Sequence, residues 1–140
     1  MNLYEEFTVL GYTVKAVPVP HAVPAAGFQI STGDVKLFYT GDAGKGLDGI
    51  WKHVAPDVLL TEVTYGNENE ARAIQYGHLT PALLDEALAR FKREKGDLPR
   101  VLVCHMNPPW ESAIRAELTE LSKQLGIEIT VTHADMTIQL

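Results

Sequence analysis

The sequence is short of most features that mark a specialised class. Cys104 is its one cysteine, so a disulfide framework is excluded and a reducing, cytoplasmic setting is expected. No apolar run approaches the roughly 18 residues of a membrane span. The opening MNLYEEFTVLG has neither the basic start nor the apolar stretch of a secretory signal. Positive charge is scarce too: 12 Lys and Arg stand against 18 Asp and Glu, a net charge of −6. A general nucleic-acid or membrane-surface binder needs a basic face, so neither partner is expected. A nucleotide held through metal ions is still compatible, because the ions bring their own positive charge. Repeats, linkers and low-complexity tracts are also missing, and residues 1–140 read as a single domain.

What is present suits a soluble α/β domain with a real core: 46% of residues are hydrophobic and 21% charged. Residues 5–19 read as two short strands broken at Gly11. GFQIS and VKLFYTG follow as a hairpin around Thr32-Gly33-Asp34, a tight-turn composition. Residues 47–55 suit a short helix stopped by Pro56, and 57–63, DVLLTEV, a strand buried on both faces. Thr80-Pro81 places an N-cap and a first-turn proline ahead of Leu84, Leu88 and Phe91, with Gly96 ending that helix. RVLVCH, 100–105, is a second buried strand. Pro108-Pro109 opens a helix striped by Ile114, Leu118, Leu121 and Leu125, and IEITVTH and MTIQL close the chain as strands. The expected architecture is a mixed sheet covered by amphipathic helices.

Three of these strands finish on a potential ligand or acid–base group: LFYTGD on Asp42, DVLLTE on Glu62 and VLVCH on His105. His78 stands just before the Thr80 cap. Loops converge at strand C-termini in α/β folds, which is where such groups do chemistry. Simpler chemistries fail on spacing. GDAGKG has Tyr39 and Gly46 where a phosphate loop needs glycine and Ser or Thr. No G-x-S-x-G elbow exists. Cys104 and His105 point to opposite faces of a strand, so Cys104 reads as a small buried apolar residue. Asp and His on separate strand ends suit zinc, manganese or iron, and a carboxylate can bridge two such ions. The bland alternatives are a turn aspartate at Asp42, a satisfied strand-end histidine at His105, and a loop-to-helix tie for Glu62 and His78. His53 reads as structural or exposed, His133 as a turn residue, and Trp51 and Trp110 as packing anchors.

Taken in order, HAVPAAGF, YTGD, TEVTYGN, GHLTP and VCHMNP resemble the C-terminal half of the metallo-β-lactamase fold. Within that superfamily they are most similar to the branch of class II cyclic-nucleotide phosphodiesterases and tRNA 3′-processing endonucleases. The resemblance implies half of a four-layer αββα sandwich and two divalent ions, zinc, manganese or iron, in the complete fold. It makes Asp42 the bridging carboxylate and His105 a ligand of the second ion. Glu62 and His78 become a hydrogen-bonded catalytic pair assisting the leaving group, and His21 a substrate-lining residue. The family's His-x-His-x-Asp-His cluster is absent from all 140 residues. The ligand set is therefore expected to be incomplete and the isolated chain inactive without an N-terminal half or partner chain. The expected activity is hydrolysis of a phosphodiester, a cyclic nucleotide before RNA 3′ ends. The competing expectation is a non-catalytic remnant that forms a homodimer through its exposed sheet.

Overall fold

The computed structural model describes residues 2–140. Its frame is one seven-stranded sheet whose strand order follows chain order: β1 (Glu6–Val9), β2 (Tyr12–Val19), β3 (Ala25–Thr32), β4 (Val35–Tyr39), β5 (Val58–Glu62), β6 (Arg100–Cys104) and β7 (Ile129–Val131). β1 to β4 form an antiparallel meander, and β4 to β7 pair in parallel. Turn chemistry explains the first part. Thr32 pairs with Val35, which leaves Gly33-Asp34 as a two-residue loop with Gly33 at φ 55°. Parallel neighbours need crossovers, and these carry the helices. α1 (Glu70–Tyr76) and α2 (Pro81–Lys95) lie between β5 and β6, and α3 (Glu111–Leu125) between β6 and β7.

The two faces of the sheet have different fates. Val17, Phe38, Leu59, Val101 and Val103 join Leu84, Leu88 and Phe91 of α2 and Ile114, Leu118 and Leu121 of α3 in one buried core. Trp51 sits fully buried within it, donating from Nε1 to the Ala87 carbonyl at 2.8 Å and meeting the Phe91 ring edge-on at 5.1 Å. On the other face the register sets Val14, Ile30, Leu37 and Val58 in one row, and Ala16, Phe28, Tyr39, Leu60 and Leu102 in the next. These rows lie outside the core that the helices close, and Tyr39 is 40% exposed. The result is one sheet layer with one helix layer, a mixed sheet covered on one side.

Several expectations need correction. Residues 47–55 do not form an α-helix: a single 3₁₀ turn, Leu47–Ile50, follows Gly46 at φ 93° and gives way to turns. MTIQL is not a strand. β7 pairs with β6, and the tail is tied instead by Arg100 Nη1 donating to the Gln139 carbonyl at 2.9 Å. The Pro108-Pro109 start is a 3₁₀ turn, Pro108–Trp110, with α3 beginning at Glu111. Thr80 caps α2 as expected, its Oγ1 accepting from Leu83 N at 3.2 Å. Among the described residues no helix is long and apolar enough to cross a membrane.

Candidate metal centre

The site forms where four loops meet at the C-terminal ends of the parallel strands. After β4, Thr40 N still bonds the Leu60 carbonyl, and Gly41 at φ 60° then turns the chain so that Asp42 leaves the sheet. Ala43 N donates to Glu62 Oε1 at 3.1 Å and fixes that turn from beneath. β5 ends on Glu62, whose side chain is 1% exposed. Its other contacts are Thr64 N at 3.0 Å, Thr64 Oγ1 at 2.6 Å, Leu79 N at 3.3 Å and His78 Nδ1 at 2.6 Å. Five donors therefore converge on two buried acceptor oxygens, which is what keeps an isolated carboxylate affordable there.

α1 ends in Gly77 at φ 74°, and His78 N returns to the Ala73 carbonyl before α2 begins. This aims the His78 ring at Glu62. After β6 the chain enters the left-handed region at His105, φ 53°, a conformation that costs a non-glycine residue and clusters at functional sites. Thr64 holds it there, its Oγ1 lying 3.1 Å from both His105 Nδ1 and the His105 carbonyl.

Asp42, His78 and His105 each offer one ligand atom, and these atoms lie within 4.8 Å of one another. Asp42 Oδ1 and His105 Nδ1 are 3.5 Å apart, with the two side chains 46% and 56% exposed. The potential ligands thus face solvent, while Glu62 and Thr64 support them from the interior. One carboxylate and two imidazoles make a nitrogen–oxygen donor set of the kind zinc, iron or manganese takes, so the residues fit a divalent metal. A cavity of about 350 Å³, bounded by Thr64, His105, Met106, Asn107 and Pro108, opens beside them.

The proton of the Thr64 hydroxyl follows its shortest contact, to Glu62 Oε2, so its lone pairs are free to accept from His105 Nδ1. Glu62 likewise accepts from His78 Nδ1. Both imidazoles are then held as Nδ1–H tautomers with Nε2 unencumbered, the arrangement by which outer partners orient metal-binding histidines.

His21 stands apart from the ligand group. Its Nδ1 lies 2.7 Å from the Gly77 carbonyl and its ring meets His78 edge-on at 5.1 Å, so it buttresses His78 from the far side. His53 stacks with Tyr4 at 4.5 Å, and His133 bonds the neighbouring Ala134 carbonyl, neither near the centre. Trp110 packs on Tyr65 at 5.0 Å under the Arg72 guanidinium. Cys104 is half-buried rather than fully so. Burial first, then the charges of Glu62 and Asp42, push its thiol above the usual range. Tyr39 is raised in the same way, by burial and then by Cys104 and Asp42. Thr64 was not singled out by the sequence reading. The available signal was its place in TEVT, two residues beyond Glu62 at a strand end.

A carboxylate and histidines gathered at the strand ends of a half-covered mixed sheet define a metallo-β-lactamase-type fold. The chain belongs to the β-lactamase superfamily: the family described as "Beta-lactamase superfamily domain" matches residues 1–106. Cleavage and polyadenylation specificity factor 73 of Drosophila melanogaster is 36% identical over 74 residues, covering 47% of this chain and 10% of that protein. The metallo-β-lactamase fold protein YhfI of Bacillus subtilis superposes with a TM-score of 0.77 at 15% identity, over 96% of this chain and 52% of its own. Unliganded yeast PDE1 gives 0.75 at 17%, over 95% and 47%. The chain thus spans about half the length of these solved structures and a tenth of the fly protein. The resemblance read in HAVPAAGF, YTGD and GHLTP holds at the level of the superfamily.

Proposed function

We propose that this chain supplies part of the active centre of a metal-dependent phosphodiester hydrolase. The observation that carries the reading is the convergence of Asp42, His78 and His105 above the buried Glu62–Thr64 support. Divalent ions held there would polarise a phosphoryl oxygen and lower the pKa of water. Asp42, through its carboxylate, and His105, through its imidazole, would hold them. Glu62 holds His78 by Nδ1–H, so that Nε2, once it has taken a proton from the attacking water, would pass it to a departing oxygen. His21 keeps the His78 ring from turning away. A cyclic nucleotide is the first substrate class. An RNA phosphodiester is the second, supported by the 36% identity to the fly cleavage factor.

The His-x-His-x-Asp-His cluster is absent from this sequence, and we take turnover to require ligands from a further segment or partner chain. Assay of bis-p-nitrophenyl phosphate against a thioester, with zinc or manganese, tests both points. The expectation is negligible phosphodiesterase activity for the 140-residue chain alone and metal-dependent activity once the missing ligands are supplied. Thioester cleavage without phosphodiester cleavage in the completed protein would sink the reading, as would two tightly held ions and full turnover in the isolated chain. The apolar rows around Phe28 and Leu60 favour a second possibility, self-association of a non-catalytic chain through that face. Sedimentation decides it: a monomer at all concentrations removes it.

A further inference from the structure

A second polar cleft, of about 520 Å³, lies at the end of the sheet away from the metal centre. Lys36 stands near the start of β4, whereas Asp42 follows that strand's end. Lys15 of β2, Lys52 from the turn after Leu47–Ile50, and Lys95 at the end of α2 join Lys36 in its lining. Four of the twelve basic side chains of an acidic protein are therefore gathered around one opening. The acidic side chain that lines it is Glu6. None of the four ammonium groups has a carboxylate within ion-pair distance among the described residues.

The cleft is also built to donate hydrogen bonds. Lys15 is held half-buried by its bond to the His53 carbonyl at 2.8 Å, which leaves two of its three N–H groups free. Gln29 is 7% exposed, and its Oε1 accepts from Ala55 N, so its NH₂ end is the one left to donate. The Ser31 hydroxyl lines the same wall. Unpaired positive charges held together repel one another, and an anion entering among them relieves that repulsion while meeting preset donors. Lys92 and Arg93 extend the basic character along the last turn of α2.

We propose that this cleft binds phosphate groups, as a site separate from the metal centre. Nucleoside polyphosphates and RNA backbones both present that chemistry, and the volume accommodates the phosphates and sugar of one nucleotide. The recognition is through charge, so it falls steeply with salt.

The test uses the full chain with two probes, inorganic pyrophosphate and a single-stranded RNA oligonucleotide, read by calorimetry and by amide shifts in NMR spectra. Shifts are expected at Ser31, Gly33 and Lys52 with either probe. The triple variant Lys36→Gln, Lys52→Gln, Lys95→Gln should bind at least about tenfold more weakly. If the source is RNA, the salt slope falls by about 2 in that variant, since each lost contact to a single strand removes about 0.7. If pyrophosphate binds and the oligonucleotide does not, the ligand is a small phosphate compound. Lys123→Gln, one such neutralisation made on a distant helix, should leave binding intact. The proposal is overturned if neither probe binds, if the shifts fall at His78 and His105 alone, or if Lys123→Gln weakens binding as much as the triple variant. Circular dichroism confirms that the variants fold.

Discussion

Gly44 and Gly77 meet backbone to backbone: a Cβ on Gly44 would lie 2.6 Å from the Gly77 carbonyl carbon. Gly77 presses in turn on the His21–Ala22 segment, where its own Cβ would fall 2.3 Å from Ala22 N. Three site-bearing loops are thus stacked with no side chain between them, and Gly44 N donates to the Pro20 carbonyl at 2.7 Å across the stack.

Gly77→Ala should therefore be costly twice over, through this clash and through its φ of 74°. We expect a loss of about 2 kcal/mol or more, read as a lower urea midpoint. The His78 ring should also lose its fixed orientation, seen as broadened imidazole resonances. A variant as stable as the parent would show that the loops can separate freely.

Thr64→Val keeps the shape of the side chain and removes its hydroxyl. Glu62 Oε2 loses its 2.6 Å partner and His105 Nδ1 loses its acceptor. The expected stability cost is about 1–3 kcal/mol, and zinc affinity should fall by about 10- to 100-fold. Thr64→Ser should restore most of both. Calorimetric zinc titration of the three proteins checks this, and unchanged affinity in the valine variant would remove Thr64 from the site.

Local signals carried the sequence reading a long way, and it failed where structure depends on remote partners. Thr80-Pro81 declares a helix start because the cap is made within four residues. α1 gave no such signal: Ala73 is its one buried residue, so no apolar stripe marks it. The 47–55 segment has helical-looking spacing, but Gly46 and Gly49 loosen it and Trp51 is drawn into the core, so only a 3₁₀ turn survives. MTIQL alternates like a strand, yet its backbone joins no neighbouring strand. Asp42, Glu62, His78 and His105 were legible because each follows or ends a recognisable element. Thr64 was not, since its meaning rests on contacts 41 residues away.

Glu62→Gln tests the buried carboxylate. The amide NH₂ would face donors whichever oxygen it replaced: Ala43 N and His78 Nδ1 at Oε1, or Thr64 N, Thr64 Oγ1 and Leu79 N at Oε2. A loss of about 2–4 kcal/mol is expected, measured by denaturant unfolding, together with weaker metal binding. Stability within about 0.5 kcal/mol of the parent would contradict the convergence of donors described above.

Cys104 should resist thiol–disulfide exchange in the metal-free protein. Its thiol is raised by burial and then by Glu62 and Asp42, so at neutral pH less thiolate is present than for a free cysteine. Reaction with a disulfide reagent should be slow near pH 7 and should rise with pH through a midpoint above the ordinary thiol value. Asp42→Asn removes one of the negative charges and should lower that midpoint. A faster reaction at pH 7 than an unfolded control would refute the assignment.

Strand order that follows chain order has a consequence for how the molecule comes together. β1 to β4 pair through tight connections, so the antiparallel half of the sheet requires little search among distant segments. The ligand loops are the contrary case, with His21 meeting Gly77 across 56 residues and Thr64 meeting His105 across 41, and they wait on the equally remote pairing of β5 with β6. In stopped-flow refolding, Trp fluorescence should report burial of Trp51 before zinc can be captured. Zinc capture that preceded this burial would reverse the order. The centre is then the last part of the fold to be born, and its integrity reports that all the earlier pairings were made correctly.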